Sequence, residues 1–187
     1  MEKDFTEHTL SQNYVYRGRI LCTRVDEVEL PSGAKASREV IEHVGGVCVA
    51  ALTPQEELLF VRQYRYPYGE TLLELPAGKL EKGEDPLEAG KRELREETGA
   101  VGKAYRSLGV MYPSPGFCDE VLHLYACDVE RMEEMCPDED EFLQMQRIPL
   151  AEAEKMALSG EIPDAKTQVL VLKVAALRRD KKRGNLL

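Results

Sequence analysis

Between Asp85 and Gly99 the sequence carries the signals for both ends of one helix and loads that helix with acid. Asp85, Pro86 and Glu88 supply a capping carboxylate, a proline whose missing N–H costs nothing in a first turn, and a glutamate at the third helical position. Gly99 suits the left-handed residue that closes a helix, so a helix ending at about Thr98 is predicted. Leu87, Lys91, Leu94 and Thr98 recur at helical spacing and mark a partly apolar face. Glu93, Glu96 and Glu97 share one side of the same helix, at i,i+3 and i,i+4 spacings where like charges repel. A solvated acidic face is the ordinary use of such a pattern. The alternative is a set of hard oxygen ligands for Mg²⁺ or Mn²⁺, whose charge relieves the repulsion and binds phosphate oxygens.

The flanks are short and β-rich. A strand is predicted from Tyr14 to Leu30, a turn at Pro31-Ser32-Gly33 and a second strand through Val40. Val44–Leu52 and Leu58–Tyr64 read as paired antiparallel strands, and further strands are predicted at Tyr105–Met111, Val121–Cys127 and Glu141–Ile148. Two helices close the chain, one over Leu150–Ser159 and one capped by Asp164. Gly90, in mid-helix, costs roughly 1 kcal/mol against alanine, which points to close approach of that helix to a strand.

Charge and cysteine content narrow the partners. A formal net charge of -9 argues against nucleic acid or an anionic membrane as the main partner. A phosphate ligand would then need cations, arginines or backbone amides to offset the repulsion. The five cysteines form an odd set without C-x-x-C spacing, so neither a disulfide framework nor a zinc site is predicted, and a reducing cytoplasm is the expected location. No apolar run approaches membrane-spanning length.

The segment GKLEKGEDPLEAGKRELREETGA resembles the Nudix box, G-x5-E-x7-R-E-U-x-E-E-x-G-U, with U a bulky aliphatic residue. Gly78, Glu84, Arg92, Glu93, Leu94, Glu96, Glu97 and Gly99 all fall in place; Ala100 is smaller than the residue usual at the last position. With ordinary residue usage, a chance match to the seven fixed residues is on the order of a few in a billion at a given start. The resemblance implies an α/β fold, a Nudix-type α/β/α sandwich with a mixed sheet. It implies metal ligation by Glu93, Glu97 and the Ala77 carbonyl, with Glu96 as a further ligand or acting through water. Arg92 would hold the carboxylates by ion pairing, and Glu84 would close the loop or orient ligands.

Nudix enzymes cleave a nucleoside diphosphate linked to another group, and the flanks look like the bacterial ADP-ribose pyrophosphatase branch. The matching stretches are VRQYRYPYGETLLELPAGKLEKGE, SPGFCDE, DEDEF and IPDAKTQ. By this resemblance Arg65 contacts the diphosphate, Glu120 lies near the terminal ribose, and Arg38 and Glu70 are weaker substrate-side candidates. The base comes from the acidic loop Pro137–Phe142, with Glu139 first and Glu141 second. Residues 1–43 would form an N-terminal antiparallel β extension that pairs two subunits into a homodimer and helps build the substrate pocket, with Phe5, Tyr14 or Tyr16 available to stack on adenine. Residues 44–187 would form the Nudix domain. Expected products are AMP and ribose 5-phosphate. The rival readings are hydrolysis of another nucleoside diphosphate sugar such as GDP-mannose, and a non-catalytic module that binds ADP-ribose.

Overall fold

The computed structural model describes residues 4–137 and 141–182, which fall into two compact units. The first runs up to Gly45 and also takes in Tyr112–Val121; the second comprises Gly46–Met111 and the chain from Leu122 onward.

In the first unit β1 (His8–Arg17), β2 (Leu21–Glu29) and β3 (Lys35–His43) form an antiparallel meander in that order. The single strand predicted over Tyr14–Leu30 is thus two. Gly18 turns the chain, donating its N–H to the Leu21 carbonyl at 2.9 Å, and a Cβ there would sit 2.6 Å from the Tyr16 ring, so only glycine lets that ring fold over the turn. The Pro31-Ser32-Gly33 turn stands, with Gly33 at φ 81°. The segment YPSPGFCDE is bound along β3: Ile41 N–H donates to the Phe117 carbonyl at 2.7 Å, and Asp119 N–H donates to the Ile41 carbonyl at 3.1 Å.

The second unit is built on a mixed sheet. Its strands are β4 (Gly46–Leu52), β5 (Glu57–Arg65), β6 (Glu70–Glu74), β7 (Ala77–Lys79), β8 (Ala100–Met111), β9 (Leu122–Met132) and β10 (Leu143–Pro149). The order is β10-β5-β4-β9-β8, with β6 on β5 and β7 on β4; β4 and β9 run parallel and the other pairs antiparallel. Strand alternation sorts the core into two layers. Cys48, Ala50 and Leu52 of β4 join Leu58 and Phe60 of β5 beneath α2 (Leu150–Ser159) and α3 (Ala165–Lys182). Val47, Val49 and Ala51 face the opposite way with Leu59, packing on Ala89 and Leu94 of α1 (Pro86–Thr98). Helices therefore cover both faces, as an α/β/α sandwich requires.

Helix α1 has the predicted ends: the Asp85 carboxylate accepts from the N–H groups of Leu87 and Glu88, and Gly99 adopts φ 70°. Its buried side differs from the predicted stripe. Ala89, Gly90, Glu93, Leu94, Glu97 and Thr98 are buried, whereas Leu87 and Lys91 are only partly covered. Gly90 explains the roll of the helix, since a Cβ there would stand 3.1 Å from both Val47 Cγ2 and Val49 Cγ2. With no side chain at that point the helix settles onto β4 and carries two of its carboxylates inward.

Candidate active site

Helix α1 presents Glu93 and Glu97 to β7, and both acids are almost wholly buried, at 8% and 1% exposure. Burial pushes the Glu97 carboxyl up to about 8, against the hydrogen bond it accepts from the Ala77 N–H at 3.0 Å; the charges of Glu93 and Glu141 push it further up and Arg65 pulls it down. Burial likewise raises Glu93 to about 7, opposed by Arg92 and reinforced by Glu96 and Glu141. Two acids that hold protons near neutral pH form a site that calls for positive charge.

Gly78 makes room for this pair. A Cβ on Gly78 would lie 1.9 Å from Glu93 Oε1 and 2.0 Å from its carboxyl carbon, so the glycine leaves the space into which the carboxylate fits. Gly78→Ala is expected to swing the flexible Glu93 side chain away while the backbone stays in place. Because a displacement of about 1 Å at a reacting centre can cost on the order of a hundredfold, kcat should fall by about that much while the melting temperature moves little. Steady-state kinetics and a thermal melt of the variant check this; a folded variant with wild-type kcat would refute it.

Arg92 sits among the remaining acids. Its Nη1 donates to Glu93 Oε1 at 2.9 Å and Glu96 Oε2 at 3.0 Å, and its Nε and Nη2 each meet Glu84 at 3.0 Å. The Arg92 bonds hold the Glu84 carboxyl below its usual range. Glu84 in turn accepts from the Glu81 N–H at 3.0 Å and so closes the loop before the helix.

Among the described residues no group of three or more His, Cys, Asp or Glu side chains is assembled to hold a metal, the carboxylates of Glu84 and Glu96 being engaged by Arg92. The Glu93–Glu97 pair nonetheless fits a hard divalent cation: it offers oxygen donors, burial outweighs the help that Arg92 and the Ala77 N–H give its charged forms, and Gly78 leaves one of its carboxylates space.

The chain just before residue 137 is tied to helix α1. Glu133 N–H donates to the Gly99 carbonyl at 2.6 Å and Cys136 N–H to the Glu96 carbonyl at 3.0 Å, so the chain leading to the loop is fixed on the end of α1. Glu141 acts electrostatically on both Glu93 and Glu97. Glu139, the first candidate for the base, lies outside the described residues.

Arg65, at the end of β5, spends Nε and Nη2 on a two-point contact with Glu74, at 2.6 and 2.7 Å, and its charge acts on Glu97. Glu70 is opposite Arg65 in the strand register and exposed. Two other candidates belong to the first unit. Arg38 makes a two-point ion pair with Glu7, at 2.9 and 2.5 Å, and Glu120 Oε1 lies 3.5 Å from His43 Nδ1. Of the aromatic candidates, Tyr14 donates its hydroxyl to Glu42 at 2.9 Å and has the Arg17 guanidinium 3.6 Å over its ring, while Phe5 and Tyr16 are exposed. Sequence reasoning passed over Glu74 and Lys166, which meet each other in the interior. The available signal was a lone carboxylate inside the apolar strand run Leu72–Leu75, which has to find a buried cation.

A family model described as the NUDIX domain matches residues 24–169. An ADP-ribose pyrophosphatase of Bacillus subtilis is 39% identical over 181 residues, covering 92% of this chain and 97% of that protein. A methanol dehydrogenase activator of Bacillus methanolicus is 40% identical over 173 residues, covering 91% of this chain and 94% of that protein. The solved structure of an ADP compounds hydrolase superposes with a TM-score of 0.83 over 99% of this chain and 100% of that one, at 21% identity, and so speaks to the fold.

Proposed function

The chain belongs to the NUDIX family, and from that premise we infer that it is a hydrolase that cleaves the pyrophosphate of ADP-ribose to AMP and ribose 5-phosphate with a divalent metal ion. The observation that carries the reading is the buried Glu93–Glu97 pair beside Gly78, in a chain 39% identical to an ADP-ribose pyrophosphatase over nearly its whole length. We assign Mg²⁺ as the ion, with Mn²⁺ able to substitute. Glu93, Glu97, Glu96 and the Ala77 carbonyl would hold it. When bound, it would supply positive charge to offset what develops on the phosphate oxygens as the P–O–P link breaks.

The protein's own groups do the rest. Arg92, tied to Glu84, Glu93 and Glu96, keeps the acidic side chains in fixed positions. The uncommitted edge of Arg65 takes a diphosphate oxygen. Glu139 or Glu141 accepts the proton of the attacking water, whose oxygen joins one phosphorus while the bridging oxygen leaves with the other phosphate. Glu120 is assigned to the terminal ribose, and Arg38 and Glu70 to the substrate side. The β1–β3 extension is assigned to a homodimer in which it contributes to the nucleobase side of the pocket of a second copy. No described helix is long and apolar enough to cross a membrane, and the cytoplasm remains the expected location.

The test is incubation of the purified protein with ADP-ribose and Mg²⁺, with and without EDTA, following AMP and ribose 5-phosphate by chromatography beside a GDP-mannose control. Metal-dependent AMP release faster than GMP release is the expected result. Binding without cleavage, or preference for GDP-mannose, would overturn it.

A further inference from the structure

The IPDAKTQ segment leads into α3, and its Lys166 is half-buried between two carboxylates. Lys166 Nζ donates to Glu74 and, at 3.0 Å, to Asp164 Oδ1, while Asp164 Oδ2 accepts the Thr167 N–H at 3.0 Å as the cap of the helix. Thr167 Oγ1 accepts the Leu75 N–H at 2.9 Å, so the start of α3 is bonded to two consecutive residues of the chain that leads from β6 to β7. Burying Glu74 costs its carboxylate solvation, but bonds from Arg65 and the charges of Lys166 and Arg65 outweigh that and keep it ionised. A part-buried ion cluster is seldom worth more to stability than well-packed apolar residues in its place, so its position is the more telling fact. It ends on Arg65, whose Nη1 has no partner among the described residues and whose side chain is 36% exposed.

We propose that Lys166 and Glu74 are positioning residues for the pyrophosphate-binding Arg65: Lys166, held by Asp164, fixes the Glu74 carboxylate, which takes one edge of the Arg65 guanidinium and leaves the other facing substrate. The proposal rests on the diphosphate role given to Arg65 above. It assigns a catalytic-pocket purpose to the start of α3, which itself touches no substrate. A guanidinium held by a carboxylate that is fixed from behind has less freedom to lose when substrate arrives, which strengthens ground-state and transition-state binding alike.

The test is a double-mutant cycle on the full-length protein with ADP-ribose as substrate. Lys166→Met should raise KM about tenfold while kcat changes less than about twofold, as expected for loss of uniform binding. In the Arg65→Ala background the same substitution should raise KM no further, since Lys166 acts through Arg65. Melting curves accompany each variant, and Glu74→Gln, which preserves shape, runs through the same cycle in case Lys166→Met does not fold. Unchanged KM, or a KM effect fully additive with Arg65→Ala, would reduce the cluster to a structural anchor. Failure of the wild-type protein to cleave ADP-ribose would instead remove the functional reading on which the roles depend.

Discussion

Glu97→Gln is expected to lower kcat for ADP-ribose hydrolysis by on the order of a thousandfold or more, because it removes a charged oxygen donor from the proposed metal centre. The substitution is nearly isosteric, and its amide oxygen can still accept the Ala77 N–H that Glu97 accepts at 3.0 Å. It also relieves the interior of a carboxyl that burial has pushed up to about 8. The variant should therefore fold at least as well as the wild type in metal-free buffer at alkaline pH. Kinetics with saturating Mg²⁺ and melts in EDTA decide it together: near-normal turnover by the folded variant would exclude Glu97 as a metal ligand.

The second large effect is on stability. In EDTA the protein should lose stability as pH rises from about 4.5 to 8. Below 4.5, the ordinary value, the Glu93 and Glu97 carboxyls are protonated whether the chain is folded or not, and they leave the balance unchanged. Above it the unfolded chain gives up both protons, while the folded chain keeps them until about 7 for Glu93 and about 8 for Glu97. The folded state binds more protons across that window, so stability falls with rising pH. Each pH unit between the folded and unfolded values is worth about 1.4 kcal/mol, and a loss of at least about 3 kcal/mol by pH 9 is expected. For a chain of this size that is roughly 6–12 °C in melting temperature. Mg²⁺ or Mn²⁺ should reverse the loss, with a larger stabilisation at pH 8.5 than at pH 5.5, where the ion has to displace protons. A melting temperature flat over this range in EDTA, or a metal effect equal at both pH values, would count against the site.

How far the site could be read before folding varies residue by residue. The ends of α1 and the spacing of Glu93, Glu96 and Glu97 are local facts, set by capping chemistry and helical pitch, and the helix spans the residues its sequence indicated. The short β-rich runs of β4 and β5 likewise foretold strands, since β-branched and apolar residues bounded by turn signals act locally. The break at Gly18 was missed because a rough alternation of β-formers on both sides of a turn reads as one strand. Glu74 and Lys166 lie 92 positions apart, and nothing local to either names the other.

By itself, then, the sequence determined which residues are acidic, at what spacing, on which kind of element, and through its box and flanks the family they belong to. Propensity, capping and periodicity act over a few residues and are legible in a line of letters. Only the tertiary structure decided which of the acids are buried. Gly90 lets α1 settle onto Val47 and Val49, Gly78 leaves space for the Glu93 carboxylate, and Ala77 donates its N–H to Glu97. Solvation is lost only where distant segments close over a charge, and that loss turns an acidic stripe on a helix into a pair of carboxyls that holds its protons well above the ordinary range.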